Sequence, residues 1–137
     1  MKMVWGQKLG QKDCPYIQRW VLDLGFCSFR LHRWLGSDDP RHFHDHPWWY
    51  ISLVLFGSYN DVSPKGAHVR KPGTIAFYRA THQHTVKLTS KTCFTILLTG
   101  PEKRVWGFWV KGKFKKRNRY FYDYGHIPCD SIKPMIK

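Results

Sequence analysis

His42, His44 and His46 alternate along the chain, and His82 and His84 repeat the alternation further on. A neutral imidazole offers a nitrogen lone pair that suits zinc, copper, iron and nickel. In an extended strand the side chains at i, i+2 and i+4 share a face, so each set of imidazoles can point into one space. Histidines scattered through a core or over a surface have no reason to fall into two such sets. Their spacing, more than their count of eight, argues for a metal site. An ion held there with free coordination positions could support oxygen chemistry or, if it is zinc, the activation of water.

Other chemistries are poorly supplied. Eight of the nine acids are Asp and the only Glu is Glu102, which disfavours two-carboxylate glycoside hydrolysis. No nucleophile-elbow motif marks a Ser-His-Asp triad. Arg30 and His32 share a face of an early strand, opposite Cys27, Phe29 and Leu31. An Arg fork meets a carboxylate or phosphate at two points, and it would serve equally on a solvent-facing strand edge.

The elements that must position these residues read as short strands. Residues 1–15 are polar and irregular. Runs of β character follow at Tyr16–Leu24 and Phe26–Leu35, separated by Gly25, and a loop covers 36–40. Beyond the histidines come Trp48–Phe56, a turn over Asn60–Gly66, and strands at Thr74–Tyr78, His82–Leu88, Thr92–Thr99 and Val105–Val110. No stretch shows a helical period. Short strands at regular spacing with turn signals predict an all-β sandwich or barrel. Pro47 cannot donate to a sheet ladder, so the strand there is at its start or bulged. Whether Tyr50 faces the histidines is therefore open. Asp45 should face away from His44 and His46, while His42 and His82 share their face and could replace or orient a ligand.

His44-Asp45-His46, three residues, Tyr50, six residues and Gly57 follow the spacing of the first motif of the cupin superfamily. Gly73 to His84, eleven residues on with Thr74–Tyr78 between, follows the second. Over residues 42–99 the chain resembles a small single-domain cupin. The resemblance implies an all-β double-stranded β-helix (a jelly-roll barrel) over residues 16–110, with 111–137 as a basic and aromatic extension. It also implies a metal on His44, His46 and His84. Tyr50 stands where the family has its Glu, which leaves a three-histidine site and makes Tyr50 a candidate catalytic group. Arg79-Ala80-Thr81 replaces the family's Pro-x-Gly turn. The implied activity is that of a metal-dependent oxidoreductase, dioxygenase-like, with Fe(II) favoured and zinc, nickel or manganese suited to the same ligands. Arg30 would orient a small anionic substrate. Homodimers are common in the family, and the aromatic load allows one here.

The 23 Lys and Arg against nine acids give a net charge of +14. Such an excess attracts anions at long range, and it supports an alternative: a non-catalytic barrel that binds nucleic acid or a nucleotide. Residues 111–119 carry six positive charges and precede the aromatic run Tyr120-Phe-Tyr-Asp-Tyr124, a combination that can grip a single strand by phosphate contact and stacking. It reads equally as a solvated hairpin backed by an aromatic strand. No apolar run reaches the length of a membrane span, and no secretion signal opens the chain. The four cysteines, Cys14, Cys27, Cys93 and Cys129, are then expected as reduced thiols in a cytoplasmic protein.

Overall fold

The computed structural model describes residues 1–125 and 127–132. Twelve strands form two curved sheets. The first runs β1 (Lys2–Gln11), β2 (Cys14–Asp23), β3 (Ser28–Trp34), β10 (Cys93–Thr99), β5 (Tyr50–Phe56), β8 (Ile75–Tyr78), and each neighbouring pair is antiparallel. The second is built from two three-stranded pieces, β12 (Lys113–Lys116), β11 (Gly107–Val110), β4 (Phe43–His44) and β7 (Gly66–Arg70), β6 (Tyr59–Ser63), β9 (Thr85–Leu88). One antiparallel bridge, His44 to His84, joins the pieces. Between the sheets lie Val54, Tyr59, Val86, Leu88 and Cys93 on one side and Tyr50, Tyr78 and Leu97 on the other.

β-Branched and aromatic residues favour these strands because they suit a pleated, half-buried surface. Alternation sets the faces: in β5, Tyr50, Ser52 and Val54 are buried, while Ile51 and Leu53 are only half-buried. Gly57 closes β5 with φ 76, and a Cβ there would meet the Thr92 carbonyl at 2.1 Å, so the position needs glycine.

Four expectations are corrected. Residues 2–11, read as irregular, form β1, because their backbone groups pair along β2 despite polar side chains. The turn expected over Asn60–Gly66 shrinks to Pro64 and Lys65 between β6 and β7. The aromatic run at 120–124 is not a strand but part of helix α1 (Arg117–Tyr124). Its Tyr120 is fully buried and stacks on Phe108 at 3.8 Å, and such packing decides a helix this short. Cys14 and Cys129 form a disulfide rather than two thiols, tying the start of β2 to the 3-10 turn Cys129–Ile132; Cys27 and Cys93 are free. No helix among the described residues is long and apolar enough to cross a membrane. Of the expected extension 111–137, residue 126 and residues 133–137 lie outside the described residues.

Candidate metal centre

The bridge between the two halves of the second sheet creates the site. His44 and His84 exchange both backbone hydrogen bonds, each N–H meeting the other's carbonyl at 3.0 Å. Their imidazoles are thereby brought to a ring separation of 4.8 Å. His46 lies past the end of β4. Its N–H donates to the Ala80 carbonyl and its own carbonyl accepts from Arg104, which turns the ring back over the other two. His46 Nε2 and His84 Nε2 come to 3.1 Å. One ring nitrogen from each of His44, His46 and His84 lies within 4.8 Å of the others. Two nitrogens bound to one ion at ~2.1 Å, at angles of 90–110°, sit about 3.0–3.4 Å apart; the His46–His84 pair already has that separation, and the whole set lies within 4.8 Å.

The electrostatics agree with that use. Burial first, and the neighbouring imidazoles second, push His44 and His46 well below the usual histidine range. Both are neutral at pH 7 and present lone pairs. His84 turns its other nitrogen, Nδ1, to Asp61 Oδ1 at 3.0 Å. That bond fixes the tautomer, with Nδ1–H donating and Nε2 free for the ion.

Asp61 is the carboxylate that sequence reasoning missed. It sits on β6, in the stretch read as a turn, and is 2% exposed. Burial alone would raise its pKa; the imidazoles of His82 and His84 reverse this and hold it well below the usual carboxylate range. His82 Nε2 approaches Asp61 Oδ1 at 3.5 Å, long for a hydrogen bond. Asp61, His82 and His84 form a second group capable of holding an ion, sharing His84 with the first. The one available signal was the Tyr59–Asp61 alternation, which places an acid on the buried face of a strand. Asp38 was also missed: it lies 3.7 Å from His44 Nε2, accepts from Thr85 Oγ1 and the Val86 N–H, and is pushed by burial up to about 8.

The remaining expected residues fall in different places. Tyr50 faces the interior, its ring 4.8 Å from His46 and stacked on Tyr78. Burial pushes its phenol well above the usual range, so it offers a neutral hydroxyl in place of the family's carboxylate. Asp45 points away from the histidines and anchors β11 through the Gly107 N–H, Trp109 Nε1 and Arg104. His42 is not brought to the cluster; its Nδ1 pairs with the Tyr120 hydroxyl at 3.0 Å. Arg30 sits over the ring of Trp48 at 4.7 Å, and Trp48 in turn stacks on His46. A turn forms at Ala80 and Thr81 without the family's Pro-x-Gly, closed by the His82 N–H on the Arg79 carbonyl.

No protein-family profile and no curated protein matches the chain. Solved structures do. A Klebsiella pneumoniae protein with a double-stranded β-helix domain superposes with a TM-score of 0.56 at 14% identity, over 67% of this chain and 83% of that one. The chain has the cupin fold. Protein NMB1881 from Neisseria meningitidis shares it, with a TM-score of 0.51 and 17% identity over 61% of this chain and 82% of that one. So does the iron(II) form of HppE, at 0.56 and 12%, over 68% of this chain but only 54% of that one. At such identities the likeness speaks of the fold, and the chemistry of this chain rests on its own residues. Its histidine and aspartate groups could bind a metal.

Proposed function

We propose that this cupin is a metal-dependent enzyme of oxidoreductase type, acting on a small anionic molecule. The convergence of three imidazole nitrogens from β4, the segment after it and the residue just before β9 carries the proposal. His44, His46 and His84 would hold one divalent transition metal, with iron(II) the first choice. The structural likeness to the iron(II) form of HppE supports that choice without deciding it. When bound, such an ion supplies redox or Lewis-acid chemistry at positions left open by a three-histidine set.

The chain's own residues shape the rest. Asp61 orients His84, and Tyr50 offers its hydroxyl beside His46. Arg30 receives the anion: its guanidinium donates from Nε to Ser28, and no described carboxylate lies within ion-pairing distance of it. Burial lowers its pKa to about 10, which leaves it charged at neutral pH. With Ser28, Trp48, Thr99 and Glu102 it lines an open recess of ≈ 260 Å³, room for a compact molecule. The test is elemental analysis of protein purified without a metal-affinity tag, beside His44→Ala and His84→Ala. One equivalent of a transition metal, lost in both variants, is expected. Wild-type protein that neither carries nor takes up metal ends this reading.

A second reading, a binding module for nucleic acid, has its own observation. The β11–β12 hairpin and α1 carry exposed Lys111, Lys113, Lys116 and Arg117 beside Tyr122, which is 82% exposed. Arg119 and Lys115 are partly spent on Asp123.

A further inference from the structure

Asp61, His82 and His84 meet at spacings that suit a cation better than hydrogen bonds alone. His84 Nδ1 lies 3.0 Å from Asp61 Oδ1, and His82 Nε2 reaches the same oxygen only at 3.5 Å. At 3.5 Å a hydrogen bond is weak. Two donors bound to one zinc-type ion at ~2.1 Å and a tetrahedral angle sit about 3.4 Å apart, so the longer spacing matches a shared ion. Polar satisfaction points the same way. His82 Nε2 and Asp61 Oδ2 are both buried, and neither has a hydrogen-bond partner among the described residues. Tyr78 presents its hydroxyl to the carboxylate without closing a bond of ordinary geometry on Oδ2. Each unmet buried atom costs stability, and one cation between the two side chains would meet both.

We propose that Asp61, His82 and Nδ1 of His84 form a second ion site, bridged by the His84 ring to the ion on His44, His46 and His84. The bridge rests on the three-histidine reading for its first ion. Two imidazoles and a carboxylate are a donor set that zinc and copper(II) accept. Local structure holds it in place. Asp61 is fixed on β6, and the turn before His84 is closed by the His82 N–H on the Arg79 carbonyl. The Tyr78 ring packs on His82 at 4.7 Å. His82 is also the most open of the three, its side chain 26% exposed against 6% for His84 and 2% for Asp61, which gives an ion a way in. Without the second ion, His84 Nδ1 carries a proton donated to Asp61. The second ion takes the lone pair of that nitrogen as the proton leaves to solvent, so that the imidazolate holds one ion on each nitrogen. The imidazolate and the Asp61 carboxylate supply two negative charges against the mutual repulsion of the cations. What repulsion remains makes the second ion the weaker one, filled only when metal is supplied.

The experiment is equilibrium dialysis of the metal-stripped full chain against zinc(II), up to 100 µM free, with elemental analysis of the wild type, His82→Ala, Asp61→Asn and His44→Ala. Far-UV circular dichroism confirms that each variant folds, and His82, being partly exposed, keeps the test open should the Asp61 variant fail to. Two equivalents are expected for the wild type and one for each variant: the second ion goes with His82 or Asp61, the first with His44. Copper(II) then tests the bridge, because two copper ions joined by one imidazolate couple magnetically. The paramagnetic resonance signal should grow over the first equivalent and fall over the second, in the wild type alone. A wild type that saturates at one ion, lost in His44→Ala and kept in His82→Ala, overturns the proposal and leaves the three-histidine site standing. One ion kept in His44→Ala and lost in His82→Ala overturns the three-histidine reading, and the bridge with it. Two ions kept in both His82→Ala and Asp61→Asn, or two copper signals that simply add, also overturn the proposal.

Discussion

His84 engages both of its ring nitrogens, one towards His46 and one towards Asp61, and so couples the candidate metal site to a buried carboxylate. A histidine oriented in this way binds metal better than one left free to rotate. Asp61→Leu is therefore expected to weaken metal binding by ~10–100-fold, with Asp61→Asn, which can still accept from Nδ1–H, losing much less. Competition against a chromophoric chelator measures both, and equal losses in the two variants would remove the orienting role. His32 makes a different prediction. It is buried on the inward face of β3, neither ring nitrogen has a hydrogen-bond partner among the described residues, and burial lowers its pKa to about 3. The unfolded chain takes up this proton near pH 6.5 and the folded chain only near 3, so His32 costs stability as pH falls between those values. His32→Leu should remove that cost. Its stability relative to wild type should rise by about 2 kcal/mol between pH 7 and pH 5. Urea titrations of the metal-free proteins would show it, and a pH-independent difference would contradict it.

At the scale of elements, several attachments hold the carboxyl-terminal segment to the barrel, among them Arg41 on the Tyr124 and Gly125 carbonyls and Gln11 on the Ile127 carbonyl. Tyr120 of α1 packs on Phe108 and receives His42. The Cys14–Cys129 disulfide closes a loop with a sequence separation of 115. Cross-linking across so long a loop restricts the unfolded chain, and Cys14→Ser is expected to cost up to about 4–5 kcal/mol. A reductant should lower the denaturation midpoint of the wild type to that of the variant and leave the variant unmoved. Cys93 stays apart from this chemistry: it is fully buried and its thiol is pushed up to about 12. Only half-buried Cys27 should react with an alkylating reagent in the native protein. The short bridge between β4 and β9 matters most for function, because two backbone hydrogen bonds set the approach of two of the three imidazoles.

For the whole molecule, charge and apolar surface are segregated. Six of the 23 Lys and Arg lie on the β11–β12 hairpin and α1, while among the outward positions of β3, β10, β5 and β8 Arg33 alone is charged. If the basic hairpin binds a single-stranded nucleic acid, affinity should fall steeply between 50 and 200 mM salt, because each neutralised phosphate releases counterions. Metal content should not change over the same range. Substituting Lys113 and Lys116 with Gln should flatten the salt slope, and binding indifferent to both salt and substitution would argue against that module. The metal reading makes the opposite demand: loss of function with His44→Ala at any salt.

The sequence by itself determined the strand periodicity, and with it the all-β class. It also determined the alternation that puts His44 and His46 on one face, and the motif spacing that pointed to a cupin barrel and to His84. Each is a local property, readable because side chains in a strand repeat every two residues. Tertiary structure decided what depends on partners distant in sequence. His42 shares the parity of His44, yet Tyr120 claims it, and only the docking of α1 reveals this. Asp61 looks like part of a turn until β6 pairs with β9 and carries it to His84. Tyr120 to Tyr124 is helical because Phe108 offers a surface to pack on, and Cys14 meets Cys129 only when the chain ends come together. The apolar outer face could not be seen in any one strand, because alternation shows that a strand has two faces, and only the assembled sheets decide which of them is left to the solvent.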